Sequence, residues 1–316
     1  MGSKNWGALF LLSALWGGSY LFMRVAAPAL GPILLIEARV LIAGLALLAY
    51  ALLTRSLPPL RDHWRHYLVL GAFNSAVPFV LISTAELYLP ASLAATVNAT
   101  TPLFGAVVAA VWMGEAFTWR KVFGLLLGFA GVAVLAGFGP LPLTSTTLWS
   151  IGASLLAAFC YGFTAVYTKV KIQGARPQAM ALYTQFAAAL VLLPLVPFSL
   201  PTQWPSTLVV ICVLLLALLS TAFAYILYFG LIVDVGPTRA IMVTYLVPVF
   251  ALLWGGLFLK ESLGAAFLAG LTLILFSVAL VSGARGAGRA GRARPAPTPG
   301  ATGATDTPAG KEGPQP

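Results

Sequence analysis

Long hydrophobic segments separated by short polar breaks make up almost the whole chain. Ten of these segments hold about 20 mostly apolar residues each, the length that an α-helix needs to cross a bilayer. They are residues 7–26, 32–54, 66–88, 91–113, 118–138, 148–170, 177–198, 207–233, 237–259 and 263–283. Proline and glycine mark the breaks, as at Leu57-Pro58-Pro59. The pattern predicts an all-α integral membrane protein with ten transmembrane helices.

The second half of this pattern repeats the first. A shift of 146 positions aligns identical residues: Ala94, Pro102, Phe104, Glu115 and Gly124 coincide with Ala240, Pro248, Phe250, Glu261 and Gly270. Each half holds five segments, and an odd number of spans inverts the second copy in the membrane. Inverted repeats of this kind are common in secondary transporters. We therefore predict two inverted five-helix repeats, residues 1–138 and 148–283, joined by a connector at 139–147.

Composition and charge agree with a membrane location. The chain is 60% hydrophobic and 8% charged, whereas soluble domains have about 25% charged residues. The net charge of +10 would suit nucleic acid, but the basic residues lie in short loops and in residues 284–316, so we expect lipid contact and no nucleic-acid partner. The bias of these basic residues towards one side of the membrane predicts that both termini are cytoplasmic, and we expect the membrane to be a bacterial inner (plasma) membrane. Residues 284–316 predict a disordered cytoplasmic tail.

The sequence offers little chemistry for an enzyme or a cofactor. His63 and His66 are the only histidines and flank a cytoplasmic loop, while Cys160 and Cys212 lie in apolar runs. No metal-ligand spacing, disulfide framework or phosphate-binding glycine loop is present. We predict that the protein is not an enzyme and needs no metal or other cofactor.

Several stretches resemble one transporter family. They are Ala14-Leu15-Trp16-Gly17-Gly18-Ser19-Tyr20, Pro90-Ala91-Ser92-Leu93-Ala94-Ala95-Thr96, Thr101-Pro102-Leu103-Phe104 and Gly114-Glu115, with related stretches at Tyr161-Gly162, Pro248-Val249-Phe250 and Lys260-Glu261. Over about residues 7–283 the chain is similar to EamA-type members of the drug/metabolite transporter superfamily. The resemblance implies two inverted five-helix repeats around a central cavity, and transport of small metabolites, often export of amino acids.

Polar residues inside the segments are candidates for the substrate site, because polar groups in a bilayer face protein or water. The fourth segment holds the densest set, in which Asn98 and Thr101 share a helix face. Three prolines predict helix kinks that free backbone carbonyls four residues earlier. Pro78, Pro102 and Pro248 free the carbonyls of Asn74, Asn98 and Thr244. Interhelical hydrogen bonding is the alternative role for these groups.

Aromatic residues within the segments predict walls for an amphipathic ligand. We assign to these walls Trp16, Tyr20, Phe79, Tyr161, Tyr183, Tyr225 and Tyr245. The repeat pairs Trp16 with Tyr161 and Phe79 with Tyr225, so both halves contribute equivalent positions.

Charged residues within or beside the segments complete the candidates. Arg39 either attracts a carboxylate ligand near the outer mouth or extends to the lipid headgroups. Glu86 and Glu37 are candidates for proton coupling, because a poorly hydrated carboxyl group can bind and release protons; a surface position at the helix end is the alternative for Glu86. Glu115 and Glu261 follow the fourth and ninth segments and predict helix-junction anchors on opposite sides of the membrane.

Together these features predict a secondary transporter of small metabolites that works by alternating access. Export of amino acids or related amphipathic compounds across the inner membrane is the leading function. A phosphorylated or nucleotide-linked sugar exchanger would need several basic residues in the cavity, and Arg39 alone lies clearly within a span. A passive solute channel remains an alternative. The fifth and tenth segments carry few polar residues and could support a homodimer.

Overall fold

The computed structural model describes residues 2–60, 63–116, 118–138, 142, 144–172, 174–201, 203–235, 243–261 and 264–287. These residues form ten helices and no strand. The helices are α1 (Ser3–Leu30), α2 (Pro32–Leu53), α3 (Trp64–Ala85), α4 (Ala91–Met113), α5 (Trp119–Phe138), α6 (Ser145–Lys171), α7 (Pro177–Phe198), α8 (Thr207–Ala217, Leu218–Phe223 and Ala224–Val235), α9 (Val243–Leu259) and α10 (Ala265–Ala287).

Seven of these helices are long and apolar enough to cross a membrane. They are α1, α2, α3, α4, α6, α7 and α8, while residues 243–259 and 265–281 form shorter apolar helices. The all-α class and the membrane-spanning character of the chain are confirmed. The count of ten crossings remains a prediction.

Several helix bounds differ from the predicted segments by a few residues. The α6 helix begins at Ser145, inside the predicted connector 139–147, because the Thr144 hydroxyl accepts a hydrogen bond from the Thr147 amide at 3.2 Å and caps the helix. The α10 helix continues to Ala287, beyond the predicted end at 283. Residues 237–242 of the predicted ninth span, and residues 288–316 of the predicted tail, lie outside the described residues.

Two of the three prolines predicted to kink a helix adjoin an irregular stretch. The α4 helix is divided into Ala91–Asn98 and Thr101–Met113, and Pro102 is the second residue of the second stretch. Pro78 follows a π-helical turn at Gly71–Ala76, whereas Pro248 lies within the continuous helix α9. A second π-helical turn, Leu218–Phe223, occupies the matching place in α8 without a proline. The irregular turn is therefore common to both halves although the proline is not.

Two helix crossings related by the repeat depend on glycine. A Cβ atom on Gly17 of α1 would lie 2.7 Å from the Phe250 Cβ and 2.8 Å from the Ala251 amide nitrogen of α9. The repeat partner Gly162 of α6 meets α4 in the same way, at 2.6 Å from the Gly105 nitrogen. Both crossings bring backbones together without an intervening side chain, as small residues permit in membrane helices.

The two ends of α4 fix how the two halves are oriented. Glu115, just after its C-terminal end, forms ion pairs with Lys121 and Lys169. Glu261 accepts hydrogen bonds from Ala91 and Ser92 at its N-terminal end. The two repeat partners thus lie at opposite ends of the bundle. We call the end that holds Glu115 the inner end and the end that holds Glu261 the outer end, following the predicted orientation.

Replacing Gly162 with alanine is expected to lower the free energy of unfolding by about 1–3 kcal/mol, because the new methyl group must displace the α4 backbone. A methyl group on Gly152 of the same helix would meet no other described part of the chain within 4 Å, so Gly152→Ala is the matched control and should be neutral or slightly stabilising. Thermal unfolding of both purified variants in detergent measures the difference. Equal behaviour of the two variants would contradict a close α4–α6 crossing.

Candidate functional site

A buried group of polar and aromatic side chains lies where the two halves meet in the middle of the bundle. We call this group the central cluster. It consists of Tyr20, Arg39, Asn74, Ser75, Phe79, Asn98, Tyr161, Gln185, Thr221 and Tyr225. The first half contributes residues of α1 to α4, and the second half contributes residues of α6, α7 and α8 on the opposite side.

Arg39 is the charged residue of the central cluster and is 3% exposed. Its Nε donates a hydrogen bond to the Thr221 hydroxyl at 2.9 Å, and a terminal nitrogen lies 3.5 Å from the Met23 sulfur. The guanidinium carbon lies 3.6 Å from the centre of the Phe79 ring, a cation–π contact. The Arg39 side chain therefore points into the bundle and does not extend to the lipid headgroups.

No carboxylate in the described part of the chain lies within ion-pair distance of this guanidinium. Among those residues, both ion pairs within 4.0 Å involve Glu115 at the inner end. Thioether sulfur is a weak acceptor, and buried charges are normally paired because an isolated one is costly. The central cluster thus presents a positive charge that an anionic ligand would neutralise.

Arg39 and its repeat partner make equivalent contacts across the interface between the halves. Arg39 of α2 bonds Thr221 of α8, while Gln185 of α7 lies 3.5 Å, Nε2 to Oγ, from Ser75 of α3. The shift of 146 positions converts the first pair into the second. The repeat therefore builds two matching polar contacts, with a charge in the first only.

The aromatic residues follow the same symmetry. Trp16 meets Tyr225 edge-on with ring centres 6.5 Å apart, and Tyr161 meets Phe79 edge-on at 6.4 Å. The repeat exchanges the two pairs, and each pair joins one residue of the first half to one of the second. These rings form apolar walls beside the Arg39 guanidinium.

Amide and hydroxyl groups fill the remaining space. The Asn98 amide donates to the Tyr20 hydroxyl at 2.9 Å, and the Thr164 hydroxyl donates to the Asn74 amide oxygen at 3.1 Å. The amide oxygens of Asn98 and Gln185 are buried without a hydrogen-bond partner in the described part of the chain. Buried acceptors of this kind are costly unless a donor reaches them, so they are suited to a ligand that carries N–H or O–H groups.

Three predicted site residues use their hydroxyl groups elsewhere. The Thr101 hydroxyl donates to the Asn98 carbonyl at 2.8 Å, so it satisfies its own helix and the carbonyl that Pro102 frees. The Tyr183 hydroxyl donates to the Pro58 carbonyl near the inner end. The Tyr245 hydroxyl reaches the Val278 carbonyl of α10 at 3.3 Å, away from the central cluster. Thr244 lies in the first turn of α9.

Sequence reasoning missed Ser75, Thr221 and Gln185 as members of the central cluster. A usable signal existed, because the shift of 146 positions pairs Ser75 with Thr221 and Arg39 with Gln185. Two polar pairs at matching places in apolar helices indicate a shared role better than any one residue does.

The candidate acidic residues are both buried. Glu86 ends α3 at the outer end, is 0% exposed, and neither of its carboxyl oxygens has a hydrogen-bond partner among the described residues. The Arg24 guanidinium donates to its backbone carbonyl, and the charged groups that act on it are Arg24, Glu261 and Arg39. Glu86 therefore does not lie at the surface, which was the alternative considered for it. Glu37 is also buried, with Oε2 unpartnered in that same set.

A cavity of about 280 Å³ opens at the inner end between α2, α7 and α8. Its lining includes Leu47, Leu182, Ile226, Gly230 and Asp234. Ile226 adjoins Tyr225 in sequence, and Leu182 precedes Gln185 by about one helical turn, but the lining residues themselves are not members of the central cluster. At the outer end, Glu261 bridges the two halves instead. A second cavity of about 240 Å³, with an apolar lining that includes Leu34, Ala38 and Val209, lies towards the outer end.

Comparisons with known proteins agree with these features. The model of the EamA-like transporter family matches residues 5–137 and again residues 148–283. The uncharacterized inner membrane transporter YedA of Escherichia coli strain K12 is 31% identical over 282 residues, covering 87% of this chain and 90% of YedA. The uncharacterized transporter YvbV of Bacillus subtilis is 29% identical over 281 residues, with the same two coverages.

Two further similarities are to a relative matched over part of its length and to a solved structure of low sequence identity. A probable terminal-alkyne amino-acid exporter of Streptantibioticus cattleyicolor is 30% identical over 196 residues, covering 62% of this chain and 65% of that protein. One solved crystal structure superposes with a TM-score of 0.63 at 20% identity, over 89% of this chain and 96% of the other. The second similarity establishes a shared fold.

Proposed function

Because the chain belongs to the EamA-like transporter family, we propose that it is a secondary transporter of small amphipathic carboxylates, working as an exporter of amino acids or related compounds. The family gives a small-molecule cargo and a membrane environment. The cargo class, the direction and the mechanism are our proposals, and the central cluster supports them.

The proposed topology is ten membrane crossings in two inverted repeats, residues 1–138 and 148–283, with both termini cytoplasmic. Glu115 and Glu261 support the inversion, since these repeat partners lie at opposite ends of α4. The family model matches each half separately. In secondary transporters built this way, the site lies between the repeats and opens to each side in turn.

The observation that carries the proposal is the buried Arg39 in the central cluster, which has no carboxylate within ion-pair distance among the described residues. A guanidinium binds a carboxylate through two parallel hydrogen bonds, and a single such group suits a ligand with one negative charge. A phosphorylated or nucleotide-linked sugar would bring more negative charge than the described residues of the central cluster could neutralise.

The aromatic walls favour a cargo with an apolar part. Trp16 with Tyr225, and Tyr161 with Phe79, flank the charge from both halves. An amino acid or a related acid with an apolar side chain would bind its carboxylate to Arg39 and its apolar part between these rings. The amide oxygens of Asn98 and Gln185 would accept hydrogen bonds from an ammonium group.

Export is favoured by two observations. A cavity of about 280 Å³ opens at the predicted cytoplasmic end, and one relative is named as a probable amino-acid exporter. We further propose Glu86 as the proton carrier, with Glu37 as the second candidate, because both carboxyl groups are buried and incompletely hydrogen-bonded in the described chain. Spans five and ten remain the candidate surface for a homodimer.

Counterflow in liposomes tests the proposal directly. Purified protein in vesicles preloaded with an unlabelled amino acid is expected to accumulate the labelled compound transiently, and the panel should include apolar amino acids, uncharged amides of the same compounds and a nucleotide-linked sugar. Carboxylates should exchange and their amides should not. Transport without counterflow would indicate a passive channel and overturn the mechanism.

One variant of Asn98 and one of Tyr245 test the location of the site in the same assay. Asn98→Ala removes an amide of the central cluster and is expected to reduce exchange about tenfold, as loss of a buried hydrogen bond of about 1.5 kcal/mol would. Tyr245→Phe removes a hydroxyl that bonds α10 outside the central cluster and is the control. Equal exchange by both variants would place the substrate elsewhere.

A further inference from the structure

Glu261 caps a helix of the opposite half. One of its carboxylate oxygens accepts a hydrogen bond from the Ala91 amide at 2.7 Å, and the other accepts from the Ser92 amide at 3.2 Å and the Ser92 hydroxyl at 2.5 Å. Ala91 and Ser92 begin α4, where backbone amides have no acceptor within the helix. The preceding residue, Pro90, makes no side-chain cap, so Glu261 supplies from the second half what a local cap usually provides.

The backbone around Glu261 is arranged for this contact. Lys260 has a φ of +53°, a left-handed conformation that is unfavourable for a lysine. Its repeat partner Gly114 has a φ of +63°, where glycine is permitted without strain. Gly255 packs under the carboxylate, and a Cβ atom there would lie less than 3.0 Å from Glu261. Strain of this kind persists where the surrounding contacts determine the conformation.

The repeat partner of Glu261 forms ion pairs at the inner end. Glu115 lies at the inner end, where its carboxylate is 3.5 Å from the Lys121 ammonium and 3.3 Å from the Lys169 ammonium. Its side chain is 27% exposed. The two repeat partners thus hold opposite ends of α4: Glu261 joins the halves at its start, and Glu115 lies just after its end.

We propose that Glu261 is the latch that holds the outer end closed and so sets the balance between inward-open and outward-open states. Opening the outer end requires the start of α4 to separate from the end of α9, which breaks all three hydrogen bonds of the cap. This inference rests on the alternating access of the proposed function. Glu261 touches no part of the central cluster through these bonds, so it acts by positioning the helices.

Cysteine labelling of the purified full-length protein tests the latch without any transport measurement. The background is Cys160→Ala with Cys212→Ala, which removes both native thiols. The outer reporter is Ala95→Cys, because Ala95 is 1% exposed and lies one turn below the cap on the same face of α4. The inner reporter is Ala181→Cys, because Ala181 lines the inner cavity.

Weakening the latch is expected to move the two reporters in opposite directions. Glu261→Gln removes the charge and should raise the rate at which a polar maleimide labels Ala95→Cys about tenfold, the factor for one charge-assisted hydrogen bond. Labelling of Ala181→Cys should fall in parallel. Ser92→Ala and Gly255→Ala should act in the same sense, the first by removing a donor and the second by displacing the carboxylate.

Two further variants make the test decisive. Lys260→Gly relieves the left-handed backbone of the latched form and should slow labelling of Ala95→Cys several-fold. Glu115→Gln makes the same change at the repeat partner of Glu261 and should not speed the labelling of Ala95→Cys. If Glu261→Gln speeds labelling of both reporters, Glu261 merely stabilises the fold; if it speeds neither, the outer end is held by other contacts. Either result overturns the proposed latch. If the two reporters change in opposite directions but no counterflow is seen, the proposed cargo is overturned and the latch is not.

Discussion

Replacing Arg39 with glutamine is expected to reduce substrate exchange roughly 100-fold, the largest loss from any single substitution in the central cluster. Removing one partner of a buried charge pair typically weakens binding by about 2–5 kcal/mol, and each 1.4 kcal/mol is about tenfold. The same variant should lose the thermal stabilisation that a carboxylate substrate gives the purified protein. Concentration-dependent counterflow and ligand-induced unfolding shifts measure the two effects.

Two controls separate the charge of Arg39 from its packing. Arg39→Lys keeps the charge but loses the planar contact over Phe79, so it should retain part of the activity. Lys121→Gln removes another basic residue that is only 6% exposed, near the inner end and outside the central cluster, and should leave exchange near normal. Full exchange by Arg39→Gln in well-folded protein would exclude Arg39 as the carboxylate partner.

Replacing Glu86 with glutamine is expected to abolish uptake driven by a pH gradient into inverted vesicles, while exchange without a gradient is retained. Glutamine keeps the size and polarity of the side chain but cannot bind and release a proton. The carboxyl group is completely buried, and its charged neighbours are Arg24, Arg39 and Glu261. Comparing gradient-driven uptake with counterflow in the same preparation isolates coupling from binding.

Glu115 and Glu37 provide the comparison for this experiment. Glu115→Gln changes a partly exposed carboxylate that is paired with lysines, and gradient-driven uptake should persist. Glu37→Gln tests the second candidate. If Glu37→Gln loses gradient-driven uptake while Glu86→Gln retains it, the proton carrier is Glu37. Retention of gradient-driven uptake in both variants would show that neither residue carries the proton.

The sequence predicted the helices and much of the central cluster because both depend on composition and on the repeat. Apolar segment length largely determines where membrane helices form. The repeat paired Trp16 with Tyr161 and Phe79 with Tyr225, and the structure exchanges these partners in its two aromatic contacts. An inverted repeat brings equivalent residues to one interface, so the internal repeat helps to predict which residues of the two halves lie close together.

What the sequence could not predict is which face of an apolar helix packs against which neighbour. Tyr245 lies in a helix that is apolar on all sides, and periodicity gave no sign that its hydroxyl would reach α10. The charged neighbours of Glu86 likewise include Arg24 and Glu261, which are distant in the chain. Such contacts between distant residues arise from packing and leave no local pattern.

The two π-helical turns carry information about ancestry. Gly71–Ala76 and Leu218–Phe223 occupy matching places, and each contributes one member of the Ser75 and Thr221 pair. A π-helical turn holds one residue more than the α-helical turn it replaces. One insertion before a gene duplication accounts for both turns, whereas two later insertions at the same place would require a coincidence. Duplication of one five-helix unit explains why the hydroxyl residue of each turn, Ser75 or Thr221, faces Gln185 or Arg39 at equivalent places.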